Sequence, residues 1–211
     1  MKVSDKGVAE IAEHEGIVPA PYRDSVGVVT FGVGHTAAAG GLDPREMNSA
    51  MPEGDALTDA VDRAIMLFRD DLEKYEARVN DAIKVPLTQY EFDALVSFDF
   101  NTGGIHRAKL TKAINAGDKS GDGFMGWLRP PEIRKRRTAE MNLFKTGDYD
   151  ANGNTIPIWG TDGALKLTGV VGKVSGPSLI ARMGRDVIGD DIKRGFDWGA
   201  LISAIMGLFK R

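Results

Sequence analysis

The stretch from Glu13 to His35, EHEGIVPAPYRDSVGVVTFGVGH, changes its period midway, and that change decides the fold. Upstream, Ser4 and Asp5 open a helix, Ser4 as the N-cap and Asp5 favourable in the first turn. Val8, Ile11 and Ala12 follow at helical spacing, and Gly16 supplies a left-handed stop. The same stripe reaches Glu15, seven residues after Val8, where an apolar side chain is expected. A carboxyl group there reads as one held against apolar surroundings, where burial favours its protonated form. Beyond Pro19 the pattern is different. Asp24-Ser25 and Gly27 punctuate a β-branched run in which Val29, Phe31 and Val33 alternate against Val28, Thr30 and Gly32. Alternation of this kind predicts a hairpin or small twisted sheet over about 17–36.

The remainder of the chain is mostly helical in pattern. Residues 36–54 show little periodicity and read as loop. Val61, Ile65, Phe68, Leu72, Tyr75 and Val79 then run in steps of four and three, predicting a long linking helix over about 58–83 that Pro86 ends. Thr88 and Glu91 form a capping box opening a helix through Leu95 and Val96, which stops at Asn101-Thr102-Gly103-Gly104. A shorter helix around Leu110 and Ile114 ends near Gly117, and another over about 132–145 closes on Gly147. These make a helical lobe over about 87–146. After Gly147 the chain is Gly-rich with short β-prone pieces, and it finishes in an almost wholly apolar segment, Trp198 to Arg211. The expected class is α+β, mainly α-helical with a small β lobe. Residues 1–149 form one unit, and 150–211 an extension of unassigned fold that ends in an apolar helix.

Composition narrows the function classes. The 211 residues suffice for one good core, and 42% hydrophobic with 27% charged residues is ordinary for a globular chain. A net charge of -3 gives no electrostatic case for nucleic acid. With no cysteine, a disulfide framework, a thiolate metal site and a cysteine nucleophile are all excluded. His14, His35 and His106 lack metal-ligand spacing. Residues 1–16 carry no apolar run of the secretory kind, and no stretch reaches the ~20 apolar residues of a membrane span. The expectation is synthesis in the cytoplasm.

Cleaving a glycoside needs a carboxylic acid for the leaving oxygen and a second group that delivers water or steadies the cation. Glu15 suits the first task by its place on the stripe, Asp24 is a turn aspartate that suits an ionised role, and Thr30 offers a hydroxyl near it. The spacing Glu15, eight residues, Asp24, five residues, Thr30 resembles the catalytic segment of phage-type lysozymes, glycoside hydrolase family 24. VPLTQYEFDALVSFDFNTGG (85–104) is similar to that family's central helix, and IRKRRTAEMNLFKTGDY (133–149) to its closing Arg-rich helix. Together the three blocks cover about 5–149, in the family's order.

The resemblance implies a lysozyme-like fold with a catalytic domain over 1–149. It implies a muramidase of the phage endolysin type cutting the β-1,4 bond between N-acetylmuramic acid and N-acetylglucosamine. Glu15 would be the general acid, with Asp24 and Thr30 positioning the attacking water in an inverting reaction. No metal or organic cofactor is implied. Arg136 would approach Glu15 from the closing helix, His35 would support the site by structural hydrogen bonds, and Asn101 would be a sugar contact or a helix C-cap. The implied partner is the peptidoglycan glycan strand, reached in the periplasm after release through a membrane lesion made by another protein. A monomer is expected.

Rival readings stay open at this point. Glu13 is a second candidate acid on the opposite face of the same helix. The run Arg134 to Arg137 reads as a solvated face with one buried ion pair, or as a patch attracted to the anionic wall. Trp198, Leu201, Ile202, Ile205, Leu208 and Phe209 form a stripe that packs on the rest, meets lipid or makes a dimer. A lytic transglycosylase would need only the glutamate, and a non-catalytic peptidoglycan-binding scaffold would need none of the three.

Overall fold

The computed structural model describes residues 1–150 and 153–183. Helix α1 spans Asp5–Glu15, and the expected signals bracket it. The Ser4 hydroxyl accepts from the Gly7 N–H, and Gly16 ends the helix at φ 76° with its own N–H on Ala12 O. Val8, Ile11 and Ala12 are completely buried. A Cβ at Gly7 would sit 2.6 Å from Asp93 Cγ, so only glycine lets α1 approach the central helix this closely.

Strands β1 (Val18–Arg23), β2 (Val29–Gly32) and β3 (His35–Thr36) form an antiparallel sheet in sequence order. Tyr22 stands opposite Thr30, and Phe31 opposite His35. Phe31 faces the core, as the alternation predicts. The long helix α2 covers Gly54–Ala82, 29 residues, or about 43 Å at the usual rise. It starts four residues before the expected Thr58, because its first turn carries no apolar periodicity to betray it. Val61, Ile65, Phe68, Leu72 and Val79 face the core; burying such a side chain stabilises by about 1.5–3 kcal/mol each.

Helix α3 (Gln89–Thr102) opens on the capping box and closes on Gly103 in the left-handed region. Phe92, Leu95, Val96 and Phe98 are fully buried, which makes α3 the axis of the helical lobe. Helix α4 (Lys109–Asn115) follows, and helix α5 (Arg134–Thr146) packs along α3; residues 132–133, expected as α-helix, belong to a tighter turn over Pro131–Ile133 ahead of α5. No helix among the described residues is long and apolar enough to cross a membrane.

Beyond residue 153 the chain makes a hairpin, β4 (Thr155–Thr161) with β5 (Leu167–Ser175), then helix α6 (Gly176–Met183). Its side chains Ile156, Ile158, Leu179 and Met183 join the same core as α1 and α2. Arg182 meets Asp62 of α2 at 3.1 Å, and Arg23 N–H donates to Leu165 O at 2.8 Å. The extension is therefore strapped onto the β lobe and α1. The apolar stripe from Trp198 to Arg211 lies outside the described residues.

Candidate active site

Glu15 is the last residue of α1, and Gly16 turns the chain away so that the carboxyl is left at the helix end. Arg136 Nη1 donates to Glu15 Oε1. The Glu15 side chain is 32% exposed and Arg136 only 8%. The expectation of a carboxyl enclosed by apolar side chains is thus corrected. The stripe that buries Val8 and Ile11 runs out before Glu15, whose neighbour is a guanidinium carried by another helix.

That guanidinium is fixed by a network inside the helical lobe. Arg136 Nε donates to Glu140 Oε1 at 3.0 Å, and Arg136 Nη2 to Ser97 O at 3.3 Å. Ser97 Oγ donates to the same Glu140 oxygen at 2.9 Å. Arg137 donates to Glu140 Oε2 and to Asn101 Oδ1. Arg136, Arg137 and Glu140 are all buried, so the basic run contributes two internal arginines rather than a single pair on a solvated face. Asn101 lies within α3, one residue before its last, and the cap is Gly103; of the two alternatives, the C-cap is excluded.

The second carboxylate sits at the tip of the β1–β2 hairpin. Asp24 Oδ1 accepts the N–H groups of Val26 at 3.0 Å and Val28 at 2.8 Å, an Asx-type turn made by the residue's own loop. Thr30 is buried, and its hydroxyl donates to Val28 O at 3.1 Å. Tyr22 lies within the field of both carboxylates. Burial first, then the charges of Asp24 and Glu15, push its phenol up to about 12. Tyr22 has no role assigned from sequence; it stands opposite Thr30 across the β1–β2 pair and two residues before Asp24.

Two histidines divide differently. His35 Nδ1 meets Asp71 Oδ2 at 2.9 Å and its Nε2 meets Leu42 O at 2.9 Å, so both nitrogens tie the sheet to α2 and the loop. His14, beside Glu15, is pushed down to about 3 by burial and then by the charges of Arg136, Arg137 and Lys135. It is a neutral imidazole at ordinary pH. Glu13, the rival acid, is buried and lies against Gly176 of the extension rather than beside Asp24.

A family model for phage lysozyme matches residues 12–140. The chain belongs to the phage lysozyme family. It is 34% identical over 159 residues to the endolysin of Acyrthosiphon pisum secondary endosymbiont phage 1, covering 69% of this chain and 99% of the relative. It is 38% identical over 145 residues to the SAR-endolysin of Escherichia phage Mu, covering 64% and 77%. Among solved structures, the endolysin from Escherichia coli O157:H7 phage FAHEc1 matches with a TM-score of 0.59 at 30% identity, over 71% of this chain and 96% of that one. The muramidase domain of SpmX from Asticaccaulis excentricus matches at 0.56 and 28% identity, over 69% and 98%. This lysozyme is accordingly a glycoside hydrolase of peptidoglycan with an α+β lysozyme-like fold. The matched stretch holds Glu15, Asp24, Thr30, Asn101 and Arg136, and it ends before β4.

Proposed function

We propose that Glu15 is the general acid, protonating the glycosidic oxygen between N-acetylmuramic acid and N-acetylglucosamine while Asp24 and Thr30 hold the attacking water. One observation carries this reading: a half-open carboxyl at the end of α1, held by a buried arginine, whose charge reaches Tyr22 together with that of Asp24. Asp24 Oδ1 is taken up by its turn, which leaves Oδ2 to accept from water. A sugar ring laid over the exposed side of Glu15 excludes solvent from the reacting carboxyl. His14, uncharged, adds no second cation beside it.

Glu15→Gln keeps a hydrogen-bond partner for Arg136 and removes the proton source. The variant should bind sacculi and leave their turbidity unchanged over the time in which wild type clears them; clearing at the wild-type rate would refute the assignment. For Arg136, Asn101 and His35 we propose support: Arg136 orients Glu15, Asn101 orients Arg137, and His35 fastens the sheet to α2.

The enzyme would act as a monomer on glycan strands, without nucleic acid, after synthesis in the cytoplasm and passage through a lesion made by another protein. The segment Trp198 to Arg211 would add contact with lipid, on the strength of its apolar run and terminal Lys210-Arg211. Removal of 196–211 should then slow lysis of whole cells more than digestion of purified sacculi; equal rates on both would leave it a packing segment.

A further inference from the structure

The β4–β5 hairpin lies beyond residues 12–140, which the family model matches, yet it is built against the end of α1. Ile17 N–H donates to Pro157 O at 2.9 Å and Trp159 N–H to Ile17 O at 2.8 Å, so β4 runs alongside the chain that leaves Glu15. Burial alternates along β4. Ile156 and Ile158 enter the core, while Pro157 and Trp159 stand on the opposite face, partly exposed. Both meet Gly16: a Cβ built there would lie 2.7 Å from Trp159 Nε1 and 3.2 Å from Pro157 Cγ. Pro157 also lines, with His14, Glu132 and Arg136, a groove of about 380 Å³. Arg136 is the side chain that holds Glu15.

We propose that Trp159, beside Pro157 on the outer face of β4, is a sugar-binding wall next to Glu15, against which one ring of the glycan stacks. The proposal rests on the reading of Glu15 as the acid that cuts the glycan. A pyranose in this polymer carries C–H groups on its faces and hydroxyls around its rim. An indole presents a broad apolar face, which matches the C–H faces of the ring. Ligand sites combine aromatic walls with a few polar groups, and the neighbouring groove that Pro157 lines holds Arg136, Glu132 and His14. The indole needs little ordering on binding, because its backbone is bonded to Ile17 and its ring edge abuts Gly16. Gly16 is then constrained twice, by its positive φ and by this ring. In this chain the extension would complete the site that residues 12–140 begin.

The test uses the full chain with Trp159→Ala and Trp159→Phe, assayed on soluble glycan strands, together with the indole N–H resonances of wild type during titration with an N-acetylglucosamine oligosaccharide. Trp159→Ala should raise KM about tenfold and move kcat far less, a loss equivalent to about 1.4 kcal/mol. Trp159→Phe should recover most of that loss. The Trp159 resonance, assigned by its disappearance in Trp159→Phe, should shift on adding the sugar. An unshifted Trp159 resonance at saturating oligosaccharide, or a wild-type KM in Trp159→Ala, overturns the wall. Failure of wild type to digest sacculi would break the reading of Glu15 instead, and the resonance shift would still decide the wall by itself.

Discussion

Two segments carry the charged residues of the candidate site, and they are held in opposite ways. The hairpin tip that carries Asp24 is local and open: Val26 is 81% exposed, and the aspartate is fixed by two N–H groups of its own turn. The helix that carries Arg136 is non-local and closed. Its arginines, Glu140 and Ser97 tie α5 to α3 and then to α1, across a sequence separation of 121 residues for the pair with Glu15. Buried ion pairs are costly to assemble and costlier to leave half made, whereas an exposed turn loses little when altered. The difference assigns stability and the orientation of Glu15 to the α5 side. The hairpin side can then be tuned for chemistry without risk to the fold.

Breaking the closed side should have the largest effect. Glu140→Ala leaves Arg136 and Arg137 buried without their shared carboxylate, and should lower unfolding free energy by about 3–5 kcal/mol in urea titrations. A loss under about 1 kcal/mol would show that the network is dispensable. A second break is made with pH. His14 is held well below its ordinary value, so its contribution is fully present above the unfolded-state value of about 6.5 and is lost as pH falls towards about 3. Below that ordinary value the unfolded chain takes up a proton that the folded chain refuses. His14→Gln should therefore flatten the decline in stability over that window; an unchanged decline would place acid sensitivity elsewhere.

The open side should yield the smallest change in stability and the clearest change in chemistry. Asp24→Asn keeps an oxygen for the Val26 and Val28 N–H groups, so its stability should stay within about 0.5 kcal/mol of wild type. Its hydrolysis rate should drop about 10²–10⁴-fold, the usual worth of a group that takes part in proton transfer. If stability falls instead and the rate holds, Asp24 is a turn residue only.

The parts of the fold legible in sequence are those that local chemistry dictates. Ser4 and Gly16 bracket α1, Thr88 and Glu91 open α3, and Gly103 and Gly147 close α3 and α5, because each cap is satisfied within a few residues. The start of α2 was not legible, since its first turn has no apolar face. Within the candidate site, Glu15, Asp24 and Thr30 are singled out by spacing and family likeness, but the surroundings of Glu15 are not legible. Periodicity along one helix says which face is apolar; it does not say that another helix puts a guanidinium at its end. The approach of Arg136 was available only through family likeness. Glu140, four residues after Arg136, was visible as a helical partner and went unread. Docking of β4 along Ile17 joins distant strands, and no local pattern specifies that pairing.

The central claim is that Glu15 delivers a proton while water, placed from the hairpin side, attacks the sugar. Mass analysis of muropeptides released from purified sacculi by the wild-type chain tests it most directly. The account predicts products that have gained one water at each cut, with reducing N-acetylmuramic acid ends, and no such products from Glu15→Gln. Products that lack that water, with the muramic acid closed on itself, would contradict it.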